Sequence, residues 1–227
     1  MVLDYLDDGA QRLVLVLCLP LVDGVFATLL VTGALETFSD FVAVGLTVFS
    51  GAGSLAVLYS YSETVEEARK MVLKAAPLLI LGAAATALVA PFFDSFLYVS
   101  RMRYAAGLAL VVISASLLDL DMSDSSTVPA IILTGFVLSV KDPTSVSFTY
   151  SYLLPALTTA GLALVGLMAA AHLPRRRISL YYIRRGGSMV LLIIALSLFG
   201  LQIPSEAGLA VLGLSLAASV TELPPEI

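Results

Sequence analysis

The stretch Gln11-Arg12-Leu13-Val14-Leu15-Val16-Leu17-Cys18-Leu19-Pro20-Leu21-Val22-Asp23-Gly24-Val25-Phe26-Ala27-Thr28-Leu29-Leu30-Val31-Thr32-Gly33-Ala34-Leu35 reads as a membrane-spanning segment interrupted near its centre. A hydrocarbon core about 30 Å thick needs roughly 20 predominantly apolar helical residues, and this run supplies them. Pro20 lacks an amide hydrogen and disturbs the turn before it, while Gly24 admits backbone geometry that other residues resist. Between them, Asp23 places a carboxylate at membrane depth. That costs several kcal/mol, from about 2.5 upward, unless the group faces a partner or a watery cavity. The run therefore predicts a discontinuous helix whose freed backbone groups are satisfied by protein or water. Such breaks often carry ion and substrate sites in transporters. Asp23, with Pro20 and Gly24, is a candidate for binding a cation, a proton or a small solute. The structural alternative is a buried aspartate capping the half-helix that begins at Gly24.

Composition gives the same setting. Hydrophobic residues make up 59% of the 227-residue chain and charged residues 13%, and the mean hydropathy is +1.00, so an integral membrane protein is expected. The polar interruptions at 62–70, 119–127 and 174–187 are too short to fold independently, so residues 1–227 read as a single membrane domain. The net charge of −5 offers no footprint for nucleic acid. The amino terminus is acidic where a secretory signal would be basic, so the first helix is expected to be retained. A lone cysteine, Cys18, allows no internal disulfide and no thiol cluster for zinc or iron-sulfur. No cofactor or metal is expected.

Further spanning candidates run over 40–59, 71–93 and 104–118, the last beginning as early as Phe96. Small residues at Ser50, Gly51, Ala52, Gly53 and Ser54 suit close helix approach. Pro77 and Pro91 flex the 71–93 segment. Residues 128–154 admit two parsings. In one, Lys141 to Ser145 forms an interfacial turn and 145–173 is a long helix kinked at Pro155. In the other, 128–154 spans with a central break and 157–173 spans back. Segments 188–201 and 205–220 follow, both short for a full crossing. The expected fold is an all-α, polytopic transmembrane bundle of about eight helices, or seven on the first parsing.

Internal repetition favours eight. A shift of 119 positions places Asp23-Gly24 on Asp142-Pro143, and one of 121 places Val44-Gly45-Leu46 on Val165-Gly166-Leu167. This suggests tandem repeats over 11–120 and 128–220. Lys and Arg counting puts both termini in the cytoplasm: Arg12, Arg69, Lys70, Arg175, Arg176, Arg177, Arg184 and Arg185 fall inside, against Arg101 and Arg103 outside.

Asp142 makes a second candidate site with Lys141, Pro143, Thr144 and Ser145, among hydroxyls at Ser139, Ser147, Thr149 and Ser151. That polarity suits a hydrated cavity wall, and equally an interfacial loop anchored by Tyr150 and Tyr152. Lys141 has no counterpart beside Asp23, so the two sites are expected to be unequal. The basic run at 175–185 reads as a positive-inside determinant, with Tyr181 and Tyr182 at an interface. His172 reads as an interfacial residue rather than a metal ligand. Glu63, Glu66 and Glu67 beside Arg69 and Lys70 read as a solvated helical turn. Neither a phosphate loop nor a catalytic triad appears, so no enzyme is expected.

Leu19-Pro20-Leu21-Val22-Asp23-Gly24-Val25-Phe26, followed by Thr32-Gly33-Ala34-Leu35, resembles the opening of an uncharacterised family of archaeal multi-pass membrane proteins. More remotely, the paired Pro/Gly/Asp breaks look like the lysine-exporter superfamily, whose usual plan is six helices in two inverted halves. That likeness implies secondary transport of a small solute or cation across the plasma membrane, and transfers no substrate residue. The alternatives are a membrane scaffold or partner subunit, or a channel built as a homo-oligomer. The bilayer itself is the expected partner in each case.

Overall fold

The computed structural model describes residues 7–118, 127–141, 150–173 and 179–221, and among these it is all-helical. The helices are α1 (Asp8–Val22), α2 (Val25–Val31), α3 (Phe38–Val44), α4 (Ala52–Tyr61), α5 (Val65–Phe96), α6 (Val99–Leu117), α7 (Thr127–Ser139), α8 (Leu153–Ala171), α9 (Leu180–Leu198) and α10 (Ser205–Thr221). A wide π turn, Gly45–Phe49, joins α3 towards α4. By length and apolarity α5, α8 and α9 can each cross a membrane, and the count reaches five if α1 with α2 and α3 with α4 are each one bent span. Shorter apolar helices form α7 and α10.

Local signals explain most boundaries. Thr64 and Glu67 form a reciprocal capping box that starts α5, and Thr37 with Asp40 starts α3 in the same way. The box makes α5 begin six residues ahead of the expected 71, so Glu66 and Lys70 lie on its first turns as an exposed ion pair 2.9 Å apart. Helix α9 likewise begins at Leu180 rather than 188, because Arg184 and Arg185 extend a polar turn below the apolar run. The two parsings of 128–154 turn on residues 142–149, which lie outside the described residues. Helix α7 stops at Ser139, before Lys141, and α8 starts at Leu153, with Pro155 in its first turn where a missing amide hydrogen costs nothing.

Side-chain and backbone contacts gather the helix ends into two groups. At one end, Arg103 of α6 donates from Nε to the Thr32 carbonyl that closes α2 (3.2 Å). Beside it, the α5–α6 turn pairs with the end of α7: Tyr98 N–H donates to Ser139 O (2.7 Å) and Lys141 N–H to Phe96 O (2.9 Å). At the other end, Lys74 meets Asp7 at 3.0 Å, and Tyr59 donates its hydroxyl proton to Ala170 O at 2.8 Å.

Small residues hold the bundle together. Helix α5 buries Ala68, Ala75, Ala83, Ala87 and Ala90 along one stripe, and α8 buries Ala156, Ala160, Ala163 and Ala170. The two helices pack along each other. Ser114 of α6 and Ser188 of α9 exchange hydrogen bonds with each other's carbonyls at 2.9 and 3.0 Å. Large apolar side chains fill the core, with Phe26, Phe49, Leu13 and Leu17 at 0% exposure, and also cover the outer surface, where Leu81, Leu133, Val137, Val165 and Leu214 are all at least 64% exposed. Small residues at helix contacts and exposed leucines on the outer face are what hydrocarbon surroundings favour, since lipid gives no drive to bury every leucine.

Candidate functional site

The first break forms as Pro20, Asp23 and Gly24 dictate. Helix α1 closes when Asp23 N–H donates to Leu19 O (3.0 Å), with Pro20 buried in its last turn. Gly24 takes a left-handed φ of 80°, which few other residues adopt without strain. The Asp23 carboxylate then accepts from Val25 N–H at 3.0 Å through Oδ1, satisfying a free amide of α2. Thr28 donates to Gly24 O at 2.7 Å through its hydroxyl, and the chain leaves at 45° to α1.

A second break lies across from it. The π turn ends when Ser50 N–H and Oγ both donate to Gly45 O at 3.1 Å, and α4 departs at 50°. Thr47 and Ser54 likewise spend their hydroxyl protons on carbonyls of their own turn, Ala43 O and Phe49 O. Gly51 is required here, because a Cβ would sit 2.2 Å from Thr47 O. The small-residue run Ser50 to Ser54 therefore bends its helix as well as allowing close approach. Gly45, a β-branched Thr47 and paired Ser50-Gly51 were the available sequence signals.

The two breaks face one cavity of about 310 Å³. Pro20 and Asp23 line it from the first, Thr47, Gly51 and Ser54 from the second, and Leu117 with Val128 close it from α6 and α7. Among the described residues Asp23 is its only ionisable lining residue, and it is half-buried. With Oδ1 engaged by Val25, Oδ2 is left to take a proton or to meet a cationic or hydrogen-bond-donating group. Above the break, Phe26 of α2 meets Phe49 edge to face with centroids 5.0 Å apart, and both are fully buried. Gly24 itself lines a separate small apolar pocket with Phe93, Ile132 and Phe136.

The other candidates lie elsewhere. Lys141 sits at the α5–α6 turn, with its ammonium 5.9 Å from the centre of the Tyr98 ring. Asp142, Pro143, Thr144 and Ser145 lie outside the described residues; among the described candidates, Pro20 and Asp23 line one cavity. His172 bonds through Nδ1 to Met168 O at 2.7 Å. Among the described residues no group of three or more His, Cys, Asp or Glu side chains is placed to hold a metal ion.

A profile for a family of unknown function, DUF5794, matches residues 79–199, from within α5 to just beyond α9. The match covers more than half the chain, which belongs to that family. It begins beyond both helix breaks. No curated protein and no solved structure matches the chain.

Proposed function

We propose that this is a polytopic membrane protein that moves a small solute or cation by alternating access, with Asp23 as its binding or coupling group. The observation that carries the reading is the meeting of two broken helices at one cavity whose only charged lining residue, among the described residues, is Asp23. In transporters, broken helices create sites of this kind near mid-membrane. The crossings number about eight, since each bent pair, α5, α6, α7, α8, α9 and α10 all alternate in direction. Shorter α7 and α10 cross by local thinning of the bilayer. Both termini face the cytoplasm, which places Arg12, Lys70 and Arg184 inside and Arg101 and Arg103 outside.

The repeat reading is supported by a contact between its matched segments. A Cβ on Gly166 would lie 2.3 Å from the Leu46 side chain, and one on Gly45 would lie 2.8 Å from Thr159 O, so the two Val-Gly-Leu segments belong to closely packed elements. Parallel four-helix repeats, distantly like the two halves of lysine exporters, fit the order of passes.

The test is uptake or efflux in proteoliposomes, screened over small cations and polar solutes with a pH gradient imposed. Transport should be lost in Asp23→Asn; a transported solute that Asp23→Asn carries at the wild-type rate would remove the carboxylate from the mechanism. A second reading, a non-transporting scaffold or partner subunit, is favoured by one observation: the Asp23 carboxylate caps Val25. Under it, only removal of the acceptor matters, and Asp23→Asn behaves as wild type in partner recovery and stability.

A further inference from the structure

A large cavity at the bundle surface is distant in character from the Asp23 site. It is a groove of about 720 Å³ between α6 and α7, and it is open along its length to the surroundings. Ala105 and Leu108 of α6 and Ala130, Ile131 and Leu138 of α7 line it, so its body is apolar. The helices touch at Gly135, where a Cβ would sit 2.2 Å from the Ala105 side chain, and this close approach forms the groove's floor.

Polarity gathers at one end. Arg101 lines that end and donates to Leu138 O at 3.1 Å, which fixes its guanidinium while using only part of its donor fork. The guanidinium lies 5.0 Å from the centre of the Tyr98 ring, and the Lys141 ammonium lies 5.9 Å from the same ring. Two cations thus flank one aromatic at the α5–α6 turn, where interfacial tyrosines and basic residues collect. Ser139 closes the groove beneath them. It is 0% exposed, and its hydroxyl has no hydrogen-bond partner among the described residues. A buried hydroxyl without a partner calls for an occupant that supplies one.

An apolar groove with a cationic, donor-bearing end has the anatomy of a phospholipid read in reverse. We propose that the α6–α7 groove is a binding site for one anionic phospholipid, with its phosphate held by Arg101 and Lys141 and an acyl chain lying along Ala105, Leu108 and Ile131. The pairing of a planar fork with a point charge suits a phosphate, and the fork supplies directional bonds that a lone ammonium does not. The site needs the bilayer but not transport, so a failed transport assay leaves it standing.

Native mass spectrometry of the full chain, delipidated in detergent and then given phosphatidylglycerol or phosphatidylcholine, tests it. Wild type should keep one phosphatidylglycerol in preference to phosphatidylcholine. The double variant Arg101→Gln/Lys141→Gln should bind it at least about tenfold more weakly. Thr134→Trp, which fills the groove and leaves both charges, should also displace the lipid. Lys70→Gln, at the opposite end of the bundle, should change nothing. Equal retention of both lipids, equal loss in Lys70→Gln, or full retention in Thr134→Trp would each overturn the proposal. So would inorganic phosphate displacing the lipid at equal concentration, since the apolar groove would then contribute nothing.

Discussion

Asp23 is held by its neighbours in a way that separates charge from shape. The bond from Val25 N–H to Oδ1 needs only an acceptor, and an asparagine side chain supplies one. Asp23→Asn should therefore melt within about 0.5 kcal/mol of wild type, whereas Asp23→Ala should lose about 1 kcal/mol with the cap. Thermal unfolding in detergent measures both, and transport measured alongside assigns the charge its role. A stability loss in Asn as large as in Ala would mean that the cap is not what the carboxylate contributes. This residue was legible in the sequence because a carboxylate inside an apolar run is costly enough to stand out. Its cap partner was legible in outline too, since Gly24 and the following apolar residues announce a new helix start.

Among elements, the second break was not legible, and the reason is physical. Ser50 to Ser54 carries no charge and no proline, so its penalty at membrane depth is small and the same residues serve equally for close packing. The structure decides by backbone geometry: Thr47 O lies where a Gly51 Cβ would be. Gly51→Ala should cost about 1–3 kcal/mol, because the obstruction is backbone and cannot swing aside. Gly53→Ala, whose Cβ would find only the Val16 side chain at 3.6 Å, should be nearly neutral. Equal melting temperatures for the two variants would show that the break tolerates a side chain. The boundaries of α7 and α8 escaped for a related reason. Lys141 and Asp142 break a hydrophobic run without stating depth, and only the pairing of Leu97 with Val140 places that run's end beside the α5–α6 turn. The α5–α8 contact makes a matching demand. Ala160 is 0% exposed there, so Ala160→Leu should overpack it and cost about 1–3 kcal/mol, while the 65% exposed Val165 should accept leucine freely.

For the whole molecule, alternating passes and the distribution of Lys and Arg make one joint claim about sidedness. The turn holding Glu36 lies beside Thr32 and Arg103, and the turn holding Glu63 lies at the end that joins Asp7 to Lys74. A chain that crosses the bilayer in both bent pairs must put these two turns on opposite faces. If the α3–α4 pair, which separates them, instead re-entered and left by the same face, the two turns would share a side, because its bend of 50° is compatible with both paths. Cell-impermeant maleimide decides between them. In a Cys18→Ala background, Glu36→Cys should label in intact cells, and Glu63→Cys should label only after the membrane is opened. Both side chains are solvent-exposed, so neither label needs the fold to open. Labelling of both from outside would make the α3–α4 pair re-entrant. The Asp23 cavity would then lie at the tip of a hairpin, as a pore-lining element does, and the case for a channel would displace the case for alternating access.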